Sequence, residues 1–176
     1  MRTEIFQQMR EDHSRVLEDA TLLEHAASQR AEQRDESWPG ADVPRILRTL
    51  TRQFATHMAA EDEVLYPALI GTMPETRLSL ELLRADHEAL RLMLDDLDGM
   101  LEEPAGRMRN EQIAIALRDF VDLLRIHIRK EEAIVIAVAE RVLNDAEVEA
   151  LAIRLGRRTA AVNSRPAQGH SEGAKS

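Results

Sequence analysis

Four histidines and two glutamates occupy positions where helices of this kind carry core residues. Positions that recur at alternating steps of three and four trace four seams along the chain. The first is Phe6, Met9, His13, Val16, Ala20, Leu23, Ala27. The second is Leu47, Leu50, Phe54, His57, Glu61, Val64, Ala68. The third is Leu80, Leu83, His87, Leu90, Leu94, Leu97, Leu101. The fourth is Ile113, Leu117, Phe120, Leu124, His127, Glu131, Ile134, Val138. Each seam holds one histidine. The second and fourth add a glutamate four residues later, on the same helix face. A buried glutamate is rare unless it is paired or binds metal. Imidazole with carboxylate, and no thiolate, suits iron, manganese or zinc. Two carboxylates can bridge two cations and offset their charge. Each metal then has about four protein donors and keeps open positions for an exogenous ligand.

The elements that position these residues follow from the breakers. Trp38-Pro39-Gly40, Gly71-Thr72-Met73-Pro74, Pro104-Ala105-Gly106 and Asn144-Asp145 divide the chain into five helical stretches. Thr72 with Glu75, and Asn144 with Glu147, have the spacing of capping boxes. Pro44 fits a first helical turn. The connections are short, so neighbouring helices run antiparallel. The expected fold is all-α: an up-down-up-down four-helix bundle with a short fifth helix at about 145–157 on its side. In such a bundle the six polar residues share one layer, roughly 16–20 Å below one pole. The halves also echo each other. Asp12-His13 and His57-x3-Glu61 are followed by Asp86-His87 and His127-x3-Glu131, which reads as two similar hairpins and two half-sites.

Composition supports this and removes other classes. Aromatics are 3% of 176 residues, poor material for a β-sandwich or barrel. There is no cysteine, which excludes disulfides, zinc ribbons and thiolate-held clusters. The net charge of −9 argues against a nucleic-acid partner. No apolar run is long enough for a membrane span, and the N-terminus has no apolar signal region. A cytoplasmic location is the expectation. The bundle is assigned to residues 1–156. Residues 157–176 lose periodicity and large apolar side chains and read as a disordered basic tail.

With these residues in place, the chain resembles the hemerythrin-like, or HHE cation-binding, domain family over about residues 5–157. One His on the first helix, His-x3-Glu on the second, His on the third and His-x3-Glu on the fourth carry the resemblance. Glu61-Asp62-Glu63-Val64-Leu65-Tyr66-Pro67 also resembles the family's text at this point. The resemblance implies a non-haem di-iron site with an oxo or hydroxo bridge. Glu61 and Glu131 would bridge, and His13, His57, His87 and His127 would be terminal ligands. It also implies a small exogenous ligand, such as oxygen, nitric oxide or peroxide. The chain departs from the oxygen carriers, which have a fifth histidine four residues from the third-helix His and an Asp five residues after the last one. Here the positions four from His87 are Leu83 and Arg91, and position 132 is Glu. This favours peroxide or nitric oxide chemistry, or sensing, over reversible oxygen carriage.

The remaining polar residues have plainer readings. His25 lies off the first seam and about 18 Å along a straight helix from His13, so a surface residue is expected. His170 falls in the tail. Asp12 and Asp86 point away from their own neighbouring histidines and can only orient a ligand on an adjacent helix; exposed acids are the default. Tyr66 has a packing role, and Asp62 and Glu63 belong to a solvated face. Three functions compete: a di-iron protein that binds or turns over a small oxidant, a metal-dependent sensor or iron-handling module acting through protein contacts, and a metal-free bundle with a buried His–Glu network. A ferritin-like oxidase is set aside, because its Glu-x-x-His motif has the opposite order and a different spacing. A homodimer is compatible with all three.

Overall fold

The computed structural model describes residues 2–32, 42–102 and 107–163, and all but a few of these residues are helical. Four rods form the bundle. The first is α1 (Arg2–Glu32). The second runs through α2 (Asp42–Ala60), a π-helical turn (Glu61–Leu65) and α3 (Tyr66–Thr72). The third is α4 (Arg77–Glu102), entered through a 3-10 turn at Pro74–Thr76. The fourth runs through α5 (Arg107–Lys130), a second π-helical turn (Glu131–Ile136) and α6 (Ala137–Val142). Rods one and three each pack against rods two and four. Contacts across α1 run 10 to 140, 13 to 132 and 24 to 125, so the first and last rods are antiparallel. The all-α bundle with an added C-terminal helix is the expected fold.

That last helix is α7 (Asp145–Asn163). It starts at the expected capping box: Asn144 N–H donates to Glu147 Oε2 at 2.7 Å, and Glu147 N–H donates to Asn144 Oδ1 at 3.0 Å. Val148 and Leu151 are buried, and α7 packs against α1, α2 and the first π turn. It runs past the end expected near 157. Residues 164–176, most of the expected tail including His170, lie outside the described residues, as do Trp38-Pro39-Gly40 and Pro104-Ala105-Gly106. Thr72 is no cap. It is the last residue of α3, and its hydroxyl bonds back to the Ala68 carbonyl at 3.2 Å.

The core divides in two around the polar layer. On one side Phe54, Met58, Leu90, Leu94, Leu117 and Phe120 belong to one buried cluster. On the other, Phe6, Leu65, Tyr66, Leu80, Leu83 and Ile136 belong to a second. Each fully buried Phe or Leu contributes about 1.5–3 kcal/mol, which is what holds the layer between them in register. The fourth seam holds as far as its glutamate and then shifts. Ile134 is 37% exposed, and Val135, Ile136 and Ala139 take the core positions instead. The cause is the π turn that begins at each glutamate. Hydrogen bonds there close i to i+5, as from Tyr66 N–H to the Glu61 carbonyl and from Ala137 N–H to the Glu132 carbonyl. The wider turn rotates everything beyond it. Pro67 relaxes the first of these turns, having no N–H to give to the preceding turn; no proline accompanies the second.

Candidate metal centre

Position on facing helices brings all six predicted residues to one layer. His13, His87, His127, Glu61 and Glu131 are buried, and the His57 side chain is 11% exposed. The histidines meet in pairs. His13 Nε2 is 2.8 Å from His57 Nε2, and His87 Nε2 is 3.1 Å from His127 Nε2. The glutamates lie between the pairs. Glu61 Oε1 is 2.7 Å from His57 Nε2, while its Oε2 is 3.5 Å from His87 Nε2. Glu131 Oε2 is 3.3 Å from His13 Nε2 and 3.5 Å from His127 Nε2. Two donor groups result, with His13, His57, Glu61 and Glu131 in one and His87, His127 and Glu131 in the other. In each, one atom per residue lies within 4.8 Å of the others, close enough to hold a cation.

The electrostatics of the layer call for positive charge. Both oxygens of Glu61 and Oε2 of Glu131 are buried without a hydrogen-bond partner. Glu61 Oε1 is near His57, but not in hydrogen-bonding geometry. Orphaned carboxylate oxygens are strongly unfavourable in a core unless a cation or proton compensates them. Burial lowers the pKa of His13, yet Glu131 and Glu61 outweigh it and push it up to about 10. His57 is likewise raised against the effect of burial, by Glu61. Burial raises the Glu131 carboxyl, yet His127 and His13 hold it well below the usual range. The donor set fits a metal ion that binds imidazole and carboxylate.

The model of the hemerythrin HHE cation binding domain matches residues 4–139. The chain belongs to that family. Comparison with curated proteins found none that matches. The hemerythrin match takes in all six residues and ends within α6, so α7 is an addition beyond it. In this hemerythrin domain neither residue four from His87 joins the donors. Leu83 lies in the apolar cluster, and Arg91 pairs with Asp62 at 3.0 Å. His25 is exposed on α1, outside both donor groups.

Three acids beside the histidines were read differently from sequence, and two of them bond a ring. Asp62 does not belong to a solvated face. Its Oδ1 accepts from His87 Nδ1 at 2.9 Å, and Arg91 holds Oδ2. Burial raises its pKa, but His87 and Arg91 lower it further, so the carboxylate stays ionised. Glu132 Oε1 is 3.2 Å from His13 Nδ1. Asp86 Oδ2 is 3.6 Å from His127 Nδ1 and bonds Lys130 at 2.9 Å, so it does face a histidine on an adjacent helix. Asp12, its counterpart in the first half, remains an outer acid that bonds Gln8 and Arg15. Tyr66 does more than pack. Its hydroxyl donates to Glu131 Oε1 at 2.7 Å, and its ring stacks on His87 with 5.7 Å between centroids. The one available signal for Asp62 and Glu132 was the echo itself, because an acid follows the seam glutamate in both halves.

A cleft of about 880 Å³ opens between α1, α2 and α7. His57 and Glu61 form part of its lining, together with Met9, Thr56, Ala152 and Leu155. His87, His127 and Glu131 do not line it.

Proposed function

We propose that this domain is a non-haem di-iron protein that binds, and turns over, a small oxidant such as peroxide, nitric oxide or oxygen. His13 and His57 would hold one iron and His87 and His127 the other, with Glu61 and Glu131 as the carboxylates between the two pairs. Manganese or zinc suits the same donors. The observation that carries this reading is the pairing of the four Nε2 atoms around two glutamates, of which both Glu61 oxygens and Glu131 Oε2 are buried without a donor. Iron in such a site supplies redox capacity and open coordination positions. The chain's own part is to fix four imidazoles with their Nε2 atoms inward, to exclude water with the two apolar clusters and to leave an entrance. That entrance is the cleft beside His57, through which a ligand reaches the His13–His57 half. With Leu83 and Arg91 in place of a fifth histidine, each half keeps only two imidazoles. That leaves more exchangeable positions than a restricted oxygen carrier has.

The test is metal content per chain on protein produced with iron present, with an absorption spectrum of the same sample. Two irons with near-ultraviolet oxo-bridge bands are expected, followed by spectral change on addition of peroxide or nitric oxide. His57→Ala and Glu131→Ala should each lose iron. A folded wild-type chain without metal and indifferent to chelators, or two irons retained in both variants, would overturn the assignment.

A further inference from the structure

The outer face of α4 carries apolar side chains that the fold does not use. Leu78, Leu82 and Leu92 are 69%, 62% and 56% exposed. With exposed Ala85 and half-buried Ala89 they form one stripe at steps of four, three, four and three. Its centre faces away from the buried positions Leu80, Leu83, His87, Leu90 and Leu94. Single exposed leucines need no explanation, but a continuous stripe spanning about 21 Å of helix does. This is the spacing of a helix-pairing seam, with small residues in the middle where two backbones approach.

The charges beside the stripe specify the partner. Along one flank Arg77, Glu81, Arg84, Glu88, Arg91 and Asp95 alternate in sign from the N-terminal to the C-terminal end. In two parallel copies this flank would lie on opposite sides of the interface, and its charges could not pair with their own copies. Two antiparallel copies centred near residue 86 set Arg77 against Asp95, Glu81 against Arg91 and Arg84 against Glu88. The same operation, with its axis between residues 85 and 86, brings Leu78 to Leu92, Leu82 to Ala89 and Ala85 to its own copy within about one residue of level. A surface complementary to itself under a twofold axis is the requirement for a symmetric dimer. Arg77, Glu81 and Asp95 have no ion-pair partner among the described residues and are available to a second copy.

We infer that this chain forms an antiparallel homodimer through the α4 stripe Leu78–Leu82–Ala85–Ala89–Leu92. One helix pair of this length buries on the order of 1,000 Å² in total, the low end for specific interfaces. The dimer is therefore weak, with dissociation in the micromolar range, and depends on concentration. Arg84 and Arg91 also hold Asp62, at the backbone oxygen and the carboxylate respectively. The interface thus adjoins the residue that orients His87.

Sedimentation velocity of the full, metal-loaded chain from low to several hundred micromolar tests this. The weight-average mass should rise from 19.9 kDa toward twice that. Leu82→Lys and Ala85→Arg should each hold the chain at the monomer mass with an unchanged helical circular dichroism signal, since both positions face solvent in the free chain. Arg77→Glu should weaken association at least several-fold, and adding Asp95→Arg should restore it. A wild-type chain that stays monomeric throughout overturns the inference. So does a dimer that survives Leu82→Lys and Ala85→Arg, because a different face would then be responsible.

Discussion

Asp62→Ala should weaken metal binding at a site the side chain does not itself enter. Ionised Asp62 can only accept, so His87 must donate its Nδ1–H across the 2.9 Å contact. That fixes the tautomer with a free electron pair on Nε2, the atom that faces His127 and Glu61. Removing the acid frees both the tautomer and the ring. It also leaves the guanidinium of Arg91, and that of Arg84 at 3.6 Å from the carboxylate, without their counter-charge close to a cation site. Loss of such an orienting acid reduces metal affinity by roughly 10–100-fold, about 1.4–2.7 kcal/mol. The upper half of that range is expected here, because the contact is short and the Asp62 side chain is only 20% exposed. Glu132→Ala acts on His13 across 3.2 Å from a side chain that is 41% exposed, so its effect should be near tenfold or less. Asp86→Ala should have the smallest effect, since Asp86 is 3.6 Å from His127 and is shared with Lys130. Competition against a chromogenic chelator reads all three on one scale, with thermal melts to verify folding. Affinity of Asp62→Ala within twofold of wild type, or a larger loss in Asp86→Ala, would refute the argument from hydrogen-bond geometry.

Four further outcomes can be measured. Tyr66→Phe keeps the ring against His87 but strips a buried carboxylate of its donor; a loss of about 1.5–3 kcal/mol is expected, or roughly 4–8 °C in melting temperature, and a shift under one degree would contradict it. His13 and His57 are raised above their ordinary range and must give up protons to bind metal, so loading at neutral pH should release one to two protons per chain, measurable by calorimetry in buffers of different ionisation enthalpy. The raised His13 also stabilises the metal-free fold below pH 6.5 and ceases to do so as pH climbs through about 10; the metal-free melt should fall over that window while the loaded one holds. Phe54→Ala removes a buried ring that packs beside both His57 and His127, with centroids at 6.5 and 6.4 Å; a loss of about 3–5 kcal/mol is expected in chemical unfolding, together with reduced metal occupancy.

What could be read from the sequence was whatever depends on residue type and regular period. A histidine among leucines at helical spacing is conspicuous, and so is a glutamate one turn further on. The four rods and the pairing of their polar layer follow from that alone. The π turns left no such mark. Changing one hydrogen bond from i+4 to i+5 needs no particular residue, so Ile134 was placed in the core that Val135 and Ile136 occupy. The roles of Asp62 and Glu132 were hidden for a related reason. Each lies one step past a seam glutamate, where a uniform helix points outward. The π turn starts at that glutamate, and the acid reaches a histidine on another rod. Thr72 had the spacing of a cap but not the surroundings, because Pro74 starts a separate 3-10 turn before α4.

The two halves of the site are related by the sequence echo, and the place where the relation breaks bears on function. Asp62 supports His87 and Glu132 supports His13, each the acid after a seam glutamate acting on a lone histidine of another rod. Asp86 faces His127, so the echo would place Asp12 on His57. Asp12 instead bonds Gln8 and Arg15 and lines the cleft, where α7 supplies a wall of Ala152, Leu155 and Gly156. His57 is accordingly the most exposed of the four histidines. A fully buried pair, with Asp62 bonded to one ring and Asp86 near the other, stands beside a pair whose His57 ring lies at the mouth of the cleft. Ligand positions of equal type are thereby made unequal in access. On the di-iron reading proposed above, the His87–His127 half would suit a metal that stays put, and the His13–His57 half one that exchanges its ligand.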